Sequence, residues 1–101
     1  MERDFTVIQL FDIYGELLTK KQRETFMSYY MFDLSLAEIS EPEGKTRQSV
    51  YAAVKKVREK LLKYESVLHL YEKTAALNAL AAECESYAPA AAEKIREITV
   101  R

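Results

Sequence analysis

The sequence predicts an all-α fold, and three observations support this. Only two Gly and two Pro residues occur among 101 residues, so turns are scarce. Apolar residues recur at helical spacing along most of the chain, and Ser or Thr residues stand where helix caps are expected. A chain of this length has room for one ordinary domain, so we expect a single helical domain over residues 1–101.

Composition excludes several classes of protein. The chain is 49% hydrophobic and 31% charged, which is typical of a soluble globular protein and argues against disorder. No apolar run approaches the roughly 20 residues that span a bilayer, and the acidic start MERDFTVIQL does not resemble a signal peptide. Cys84 stands alone, so no internal disulfide is possible, which fits a reducing cytoplasm. We therefore expect a cytoplasmic protein.

Two helices are predicted before residue 34. The first covers about residues 4–18, with an apolar stripe made by Phe5, Ile8, Phe11 or Asp12, and Leu18, which is widened by Val7, Leu10 and Tyr14. Thr19 and Gln22 form a capping box that opens the second helix. That helix should bury Phe26, Tyr29 and Tyr30 and end near Phe32.

The segment LSLAEISEPEGKTRQSVY, residues 34–51, has the outline of two helices joined by a tight turn. Ser35 and Glu38 fit a second capping box, and Pro42 should end that helix near Glu41. Gly44 suits a left-handed backbone conformation at the turn, and Thr46 can cap the next helix. This is the layout of a helix-turn-helix, covering about residues 19–64, whose second helix can enter the DNA major groove.

The second helix of this motif carries the candidate nucleic-acid-binding residues. Arg47 and Gln48 are the residue types that contact guanine and adenine edges. Thr46, Lys55 and Lys56 suit phosphates, and Tyr51 suits a sugar or a thymine methyl group. Arg58, farther along the same helix, completes the candidate set as a further phosphate contact. Inward positions are predicted to be Val50, Ala53 and Val54. The alternative, in which these polar residues only solvate the start of a helix, stays open.

The charge distribution adds to this interpretation. Residues 45–63 carry seven basic residues, including Arg58, against Glu59 alone, which gives a local charge of +6. The net charge is −1, so the remaining chain carries −7. A basic face on an acidic body is an electrostatic footprint for nucleic acid, although a solvated helix face would also explain it.

Two charged residues weaken the motif. The positions on either side of the turn glycine usually pack into the core, but here they are Glu43 and Lys45. Burying either one unpaired would be costly, so we expect both to point outward. With Pro42, they predict a loosened turn and a shortened first helix.

The helix after Thr46 is predicted to be the longest element, as one helix or two nearly collinear ones. Its apolar stripe comprises Val50, Val54, Val57, Leu61, Tyr64, Leu68, Tyr71 and Ala75. Either the amino-terminal helix or a second copy of the chain must cover this stripe. Its later part is the candidate surface for a protein partner or a homodimer, and it comprises Val57, Leu61, Tyr64, Leu68 and Tyr71. A short final helix should begin at Pro89, within a helical extension over about residues 65–101.

No arrangement of residues predicts catalysis, a cofactor or a metal. His69 has no second His or Cys at a ligand spacing, so we interpret it as a satisfied helix histidine. Glu83 and Glu85 do not share a helix face. Cys84 has no resolving cysteine, which favours a buried structural thiol. The sequence therefore predicts a protein that is not an enzyme.

Three blocks that recur in order carry a family resemblance: LFDIYGELLTKKQRE (residues 10–24), SLAEI (35–39) and TRQSVY (46–51). They resemble the YlxM family, small bacterial proteins that are similar to region 4 of sigma factors. The resemblance covers roughly residues 5–72. It implies an all-helical bundle and, from the location of the family's genes, a link to the signal recognition particle pathway. The family pattern AEELGVSRQAVY corresponds to SEPEGKTRQSVY here. The exposed residues at the start of the second helix match this pattern better than the residues of the turn do.

The expected function is therefore that of a non-enzymatic helix-turn-helix protein that binds nucleic acid. The resemblance implies a regulator or accessory of the signal recognition particle pathway, with DNA, the particle's RNA or other particle components as partners. The alternative is a protein–protein interaction module that keeps the sigma-like fold without direct DNA binding.

Overall fold

The computed structural model describes residues 4–100, and every regular element in that range is helical. The α-helices are α1 (Phe5–Tyr14), α2 (Lys20–Phe26), α3 (Leu36–Ser40), α4 (Arg47–Leu68), α5 (Leu70–Cys84) and α6 (Pro89–Thr99). Short 3-10 turns follow α1 (Gly15–Leu17) and α3 (Glu41–Glu43), and a π-helical turn follows α2 (Met27–Met31). The predicted all-α fold, with a long helix after the turn and a short final helix, is confirmed.

The chain divides into two compact units, with the boundary after Leu68. The amino-terminal unit contains α1 to α4 and therefore the whole helix-turn-helix segment. The carboxy-terminal unit begins at His69, whose φ of 55° interrupts the helical path. His69 is thus the break between two helices rather than a residue within one, which corrects the sequence interpretation of this position. The single domain expected over residues 1–101 stays a prediction.

The core of the amino-terminal unit forms around one stripe of α4. Val50, Val54, Val57 and Leu61 are all buried, and α1, α2 and α3 each pack against this helix. Burial of such branched side chains supplies most of the driving force for folding a small helical unit. The stripe is therefore covered by the chain's own helices.

This packing corrects the predicted partner surface. Val57 is 1% exposed and Leu61 is fully buried, so neither can contact another molecule without unfolding the unit. Tyr64 is half-buried, with its ring 5.8 Å from that of Tyr14. Leu68 alone among the amino-terminal members of the stripe is well exposed, at 42%. Tyr71 lies in the other unit and is half-buried there.

Helix α1 buries a different face from the expected one. Val7, Leu10 and Tyr14 are buried, whereas Phe5 is 71% exposed. Phe5 occupies the first turn, beside Asp4, whose carboxylate accepts a hydrogen bond from the Thr6 amide at 2.9 Å. Val7, Leu10 and Tyr14, which were expected at the margin of the apolar stripe of α1, therefore form its centre. The reason is that α4 packs along that face of α1.

Aromatic rings join α1 to α2 and its π-helical extension. The rings of Phe11 and Phe26 stack at 4.4 Å, and those of Phe26 and Tyr30 stack at 4.5 Å. The capping box of Thr19 with Gln22 is confirmed, as is the burial of Phe26, Tyr29 and Tyr30. The capping box therefore stabilises the start of α2, and packing of the aromatic rings stabilises its end.

The carboxy-terminal unit is a hairpin of α5 and α6 with a small core. Ala81, Cys84 and Ala92 are buried, and Ala88 and Ile95 pack against them. The Cys84 thiol lies 3.6 Å from the Ala81 carbonyl oxygen, which confirms the structural interpretation of this cysteine. Pro89 opens α6 as predicted, whereas Ile98 remains 58% exposed. Between residues 4 and 100, no helix combines the length and apolarity needed to cross a bilayer.

Truncation of Leu61 tests the role of the α4 stripe. Leu61→Ala should lower the free energy of unfolding by about 2–5 kcal/mol, because it leaves a cavity in a fully buried site. Leu62→Ala is the matched control, since Leu62 is the next residue and is 42% exposed; its effect should be within about 1 kcal/mol. Urea unfolding followed by circular dichroism measures both, and equal losses would contradict the assigned packing.

Candidate nucleic-acid interface

The first helix of the helix-turn-helix segment is short because its end is dictated by proline. Ser35 and Glu38 form the predicted capping box, in which the Ser35 hydroxyl accepts from the Glu38 amide at 3.1 Å. Helix α3 ends at Ser40, and Pro42 lies inside the 3-10 turn that follows. Proline has no amide hydrogen to continue the α-helical pattern. The predicted shortening is confirmed.

The turn itself is closed by hydrogen bonds rather than loosened. The Lys45 amide donates to the Ser40 carbonyl oxygen at 3.0 Å, and the Gly44 amide donates to that of Glu41 at 3.1 Å. Gly44 has a φ of 65°, as predicted, and a Cβ at this position would meet no atom within 4 Å. Backbone conformation alone therefore favours glycine here. The prediction of a loosened turn is wrong, because these bonds satisfy the backbone.

The two charged residues beside Gly44 form ion pairs on the surface. Both point outward, as predicted, and the Glu43 carboxylate bridges two ammonium groups. One of its oxygens pairs with Lys21 of α2, and the other lies 3.3 Å from Lys45 Nζ. These hydrogen bonds, first from Lys21 and then from Lys45, lower the pKa of the Glu43 carboxyl below its ordinary value of 4.5.

Helix α4 presents the predicted binding residues at its exposed start. The Thr46 hydroxyl accepts from the Ser49 amide at 3.0 Å, which confirms its capping role. Five candidates of α4 are exposed, namely Arg47, Gln48, Tyr51, Lys55 and Lys56. Val50 and Val54 are buried as predicted, but Ala53 is exposed, because the helix rests on α1 to α3 along a narrower stripe.

The exposed candidates lie on neighbouring turns of one helix. Arg47, Tyr51 and Lys55 follow one another at intervals of four residues, which places them in one row along the surface. Tyr51 is 39% exposed, so part of this residue is accessible beside Arg47 and Lys55. This geometry combines hydrogen-bond donors, positive charge and one aromatic ring at the amino-terminal end of a helix.

Arg58 is placed differently from the other basic candidates. Its guanidinium lies 3.6 Å from the Asp4 carboxylate, and its side chain is only 28% exposed. The buried Tyr30 hydroxyl faces it at a geometry short of a regular hydrogen bond. Tyr30, and then the charge of Asp4, raise the pKa of Arg58 despite its partial burial. Arg58 therefore ties α1 and the π-helical turn to α4, and its predicted place among the nucleic-acid-binding residues stays a prediction.

The sequence does not predict the ion pair between Lys21 and Glu43. They are 22 residues apart. A groove of about 290 Å³ lies beside their ion pair, lined by residues of α2, the π-helical turn and α3, including Met27, Phe32 and Ile39. Nothing in the local sequence pattern reveals this pairing, because it depends on how α2 packs beside the turn.

Comparisons with known proteins agree with this architecture. Residues 1–100 match the model of the UPF0122 family, described as "Putative helix-turn-helix protein, YlxM / p13 like". A UPF0122 protein of Clostridium kluyveri is 49% identical over 72 residues, which are 71% of this chain and 65% of that protein. One from Caldanaerobacter subterraneus subsp. tengcongensis is 50% identical over 74 residues, 72% of this chain and 63% of the relative.

A more widely aligned relative is the UPF0122 protein of Limosilactobacillus reuteri. It is 38% identical over 87 residues, which cover 86% of this chain and 77% of the relative. The matched region of the chain spans less than two thirds of the length of the Clostridium kluyveri and Caldanaerobacter relatives. Family membership therefore rests first on the family model, which matches residues 1–100.

The Glu43 ion pairs can be tested by titration. Carbon-13 NMR of the Glu43 side-chain carboxyl should give a pKa below 4.5, and Lys21→Met should raise it more than Lys45→Met does. A carboxyl whose pKa is lower in the folded state stabilises the fold above its unfolded pKa, and that contribution is lost as pH falls through the folded pKa. Equal pKa values in all three proteins would contradict the bridge.

Proposed function

Because the chain belongs to the UPF0122 family of YlxM/p13-like proteins, we propose that it is a non-enzymatic nucleic-acid-binding protein that uses α4 as its recognition helix. The observation that supports this is the exposed row of Arg47, Tyr51 and Lys55 at the start of α4, behind a closed turn. Arg47 and Gln48 supply donors for base edges, whereas Lys55 and Lys56 supply charge for phosphates.

Phosphate contacts should provide most of the affinity. The local charge of +6 over residues 45–63 attracts a polyanion, although Arg58 and Lys45 are already paired with Asp4 and Glu43. Thr46 remains engaged with the Ser49 amide, so it contributes by capping the helix as well as by lying at its exposed start. The proposed contact set is therefore Thr46, Arg47, Gln48, Tyr51, Lys55 and Lys56, with Arg58 as a supporting residue.

The proposed cellular role is that of a regulator or accessory of the signal recognition particle pathway. The family resemblance is the basis for this proposal, and the geometry is compatible with either duplex DNA or the particle's RNA. The two ligands differ in what they offer to a helix. DNA presents base edges in an accessible major groove, whereas RNA duplexes present shape, phosphates and unstacked loops.

A second candidate function is protein binding through apolar side chains that the structure leaves exposed. In the amino-terminal unit these include Val67 and Leu68 at the end of α4, which are 64% and 42% exposed. In the carboxy-terminal hairpin, Leu77 and Leu80 are 39% and 48% exposed, beside a core of only a few small residues. Helical segments below about 40 residues usually need further support, such as association with another chain.

Charge reversal tests the nucleic-acid proposal. Arg47→Glu with Lys55→Glu should abolish binding to duplex DNA and to the particle's RNA. Wild-type affinity should fall steeply with salt, by about 0.9 in the log–log slope for each phosphate contact with duplex DNA. Fluorescence anisotropy across a salt series measures both effects. Lys73→Glu with Lys94→Glu is the control, since it changes the net charge equally on exposed residues of the other unit. A flat salt response, or equal losses in both variants, would contradict the proposal.

Polar substitution of the hairpin tests the second candidate. If a second copy covers this surface, wild-type protein should sediment as a dimer at high concentration, and Leu77→Ser with Leu80→Ser should remain monomeric. Ala79→Ser with Ala82→Ser is the control, since both alanines are exposed in the same helix. Circular dichroism confirms that helix content is kept. Monomeric wild-type protein at all concentrations would contradict dimer formation through this surface.

A further inference from the structure

The turn of the helix-turn-helix carries a carboxylate in a position that suits an anion from another molecule. Glu43 bridges Lys21 at the start of α2 and Lys45 just before α4. The side chains of the two lysines are 53% and 47% exposed, and that of Glu43 is 35% exposed. All three charges are therefore accessible from solvent at the edge of the proposed interface.

We propose that Lys21 and Lys45 form an additional phosphate-binding pair, which Glu43 occupies in the free protein as an internal substitute for a phosphate. This inference rests on the proposed function and adds two contact residues to it. Two ammonium groups that a single carboxylate bridges lie close enough together to share one phosphate group, since both anions present oxygens at similar spacing. In the bound state, a backbone phosphate replaces the Glu43 carboxylate between the two lysines.

The position of the pair favours a phosphate of the same ligand that α4 contacts. Lys45 immediately precedes the capping residue Thr46 and lies two residues before Arg47. Lys21 belongs to α2, which packs against α4. In helix-turn-helix proteins, elements beside the recognition helix cross the nucleic-acid backbone while that helix enters the groove. We therefore expect the nucleic-acid backbone beside the recognition helix to pass Lys21 and Lys45.

A phosphate can replace the Glu43 carboxylate between Lys21 and Lys45 at a small cost in free energy, because these ion pairs are exposed. Surface ion pairs are screened by solvent and salt, so they are weak, and a backbone phosphate of the same single charge can replace the carboxylate when the ligand is also held by α4. The exchange has a consequence for affinity. While Glu43 offsets one of the two lysine charges, the pair attracts a distant polyanion less strongly. Glu43 therefore lowers affinity for nucleic acid, and it holds the turn in place when no ligand is bound.

Removal of this carboxylate should strengthen binding. Glu43→Gln should raise affinity for duplex DNA by about three- to tenfold at moderate salt, and it should steepen the log–log salt slope by about one to two, as expected for one or two additional phosphate contacts. Glu41→Gln is the matched control, because Glu41 is exposed in the same 3-10 turn and has no ion pair within residues 4–100. It removes the same charge without releasing a lysine. Equal gains in the two variants would overturn the inference.

The lysines themselves provide the second arm of the experiment. Adding Lys21→Met and Lys45→Met to Glu43→Gln should abolish the gain and return the salt slope to the wild-type value. Persistence of the gain without these lysines would overturn the inference. Circular dichroism of each variant verifies that the helices remain formed.

Heparin separates this inference from the proposed function. Glu43→Gln should elute from immobilised heparin at higher salt than Glu41→Gln, since heparin needs no recognition of bases. If no variant binds DNA or RNA, the proposed function fails. The heparin result still decides on the lysine pair, because identical elution of the two variants would overturn it.

Discussion

Burial of one face of α4 is the constraint on which the amino-terminal unit depends. Val50, Val54, Val57 and Leu61 recur at intervals of three and four residues, and α1, α2 and α3 all pack against this stripe. Because these four positions are inside, the opposite face of the helix must be outside, and that face carries Gln48, Lys55 and Lys56. The hydrophobic contacts that fold the unit therefore also expose these polar side chains of α4 to solvent.

The turn before α4 shows how a helix-turn-helix accommodates residues that do not suit it. Pro42 ends α3 early, and Glu43 and Lys45 cannot be buried alone. Two backbone hydrogen bonds close the turn, and the charged side chains pair with each other and with Lys21 instead of entering the core. The side chains on both sides of Gly44 thus make electrostatic contacts on the surface of the turn and no contacts in the core. Because these ion pairs are exposed, salt weakens them, whereas the two backbone hydrogen bonds keep the turn closed.

Basic residues on α4 have two separate roles. Lys55 and Lys56 are exposed, whereas Arg58 is held between Asp4 and Tyr30. Arg58 lies on the side of α4 where the start of α1 and the π-helical turn approach it, so its charge contributes to holding those elements. Counting cations along the sequence therefore overstates the charge available to a ligand. The available charge depends on which cations the fold has already paired.

Local features were predictable from the sequence by itself. The capping boxes at Thr19 and Ser35, the left-handed Gly44 and the stop at Pro42 all depend on interactions within about four residues, so residue type and spacing determine them. The periodic stripe of α4 was equally clear, but spacing alone could not say whether α1 or a second chain covers it. Only the tertiary structure placed Val57 and Leu61 in the chain's own core, paired Arg58 with Asp4, and joined Glu43 to Lys21. These outcomes depend on contacts between residues that are distant in sequence, and their geometry is set by how whole helices pack.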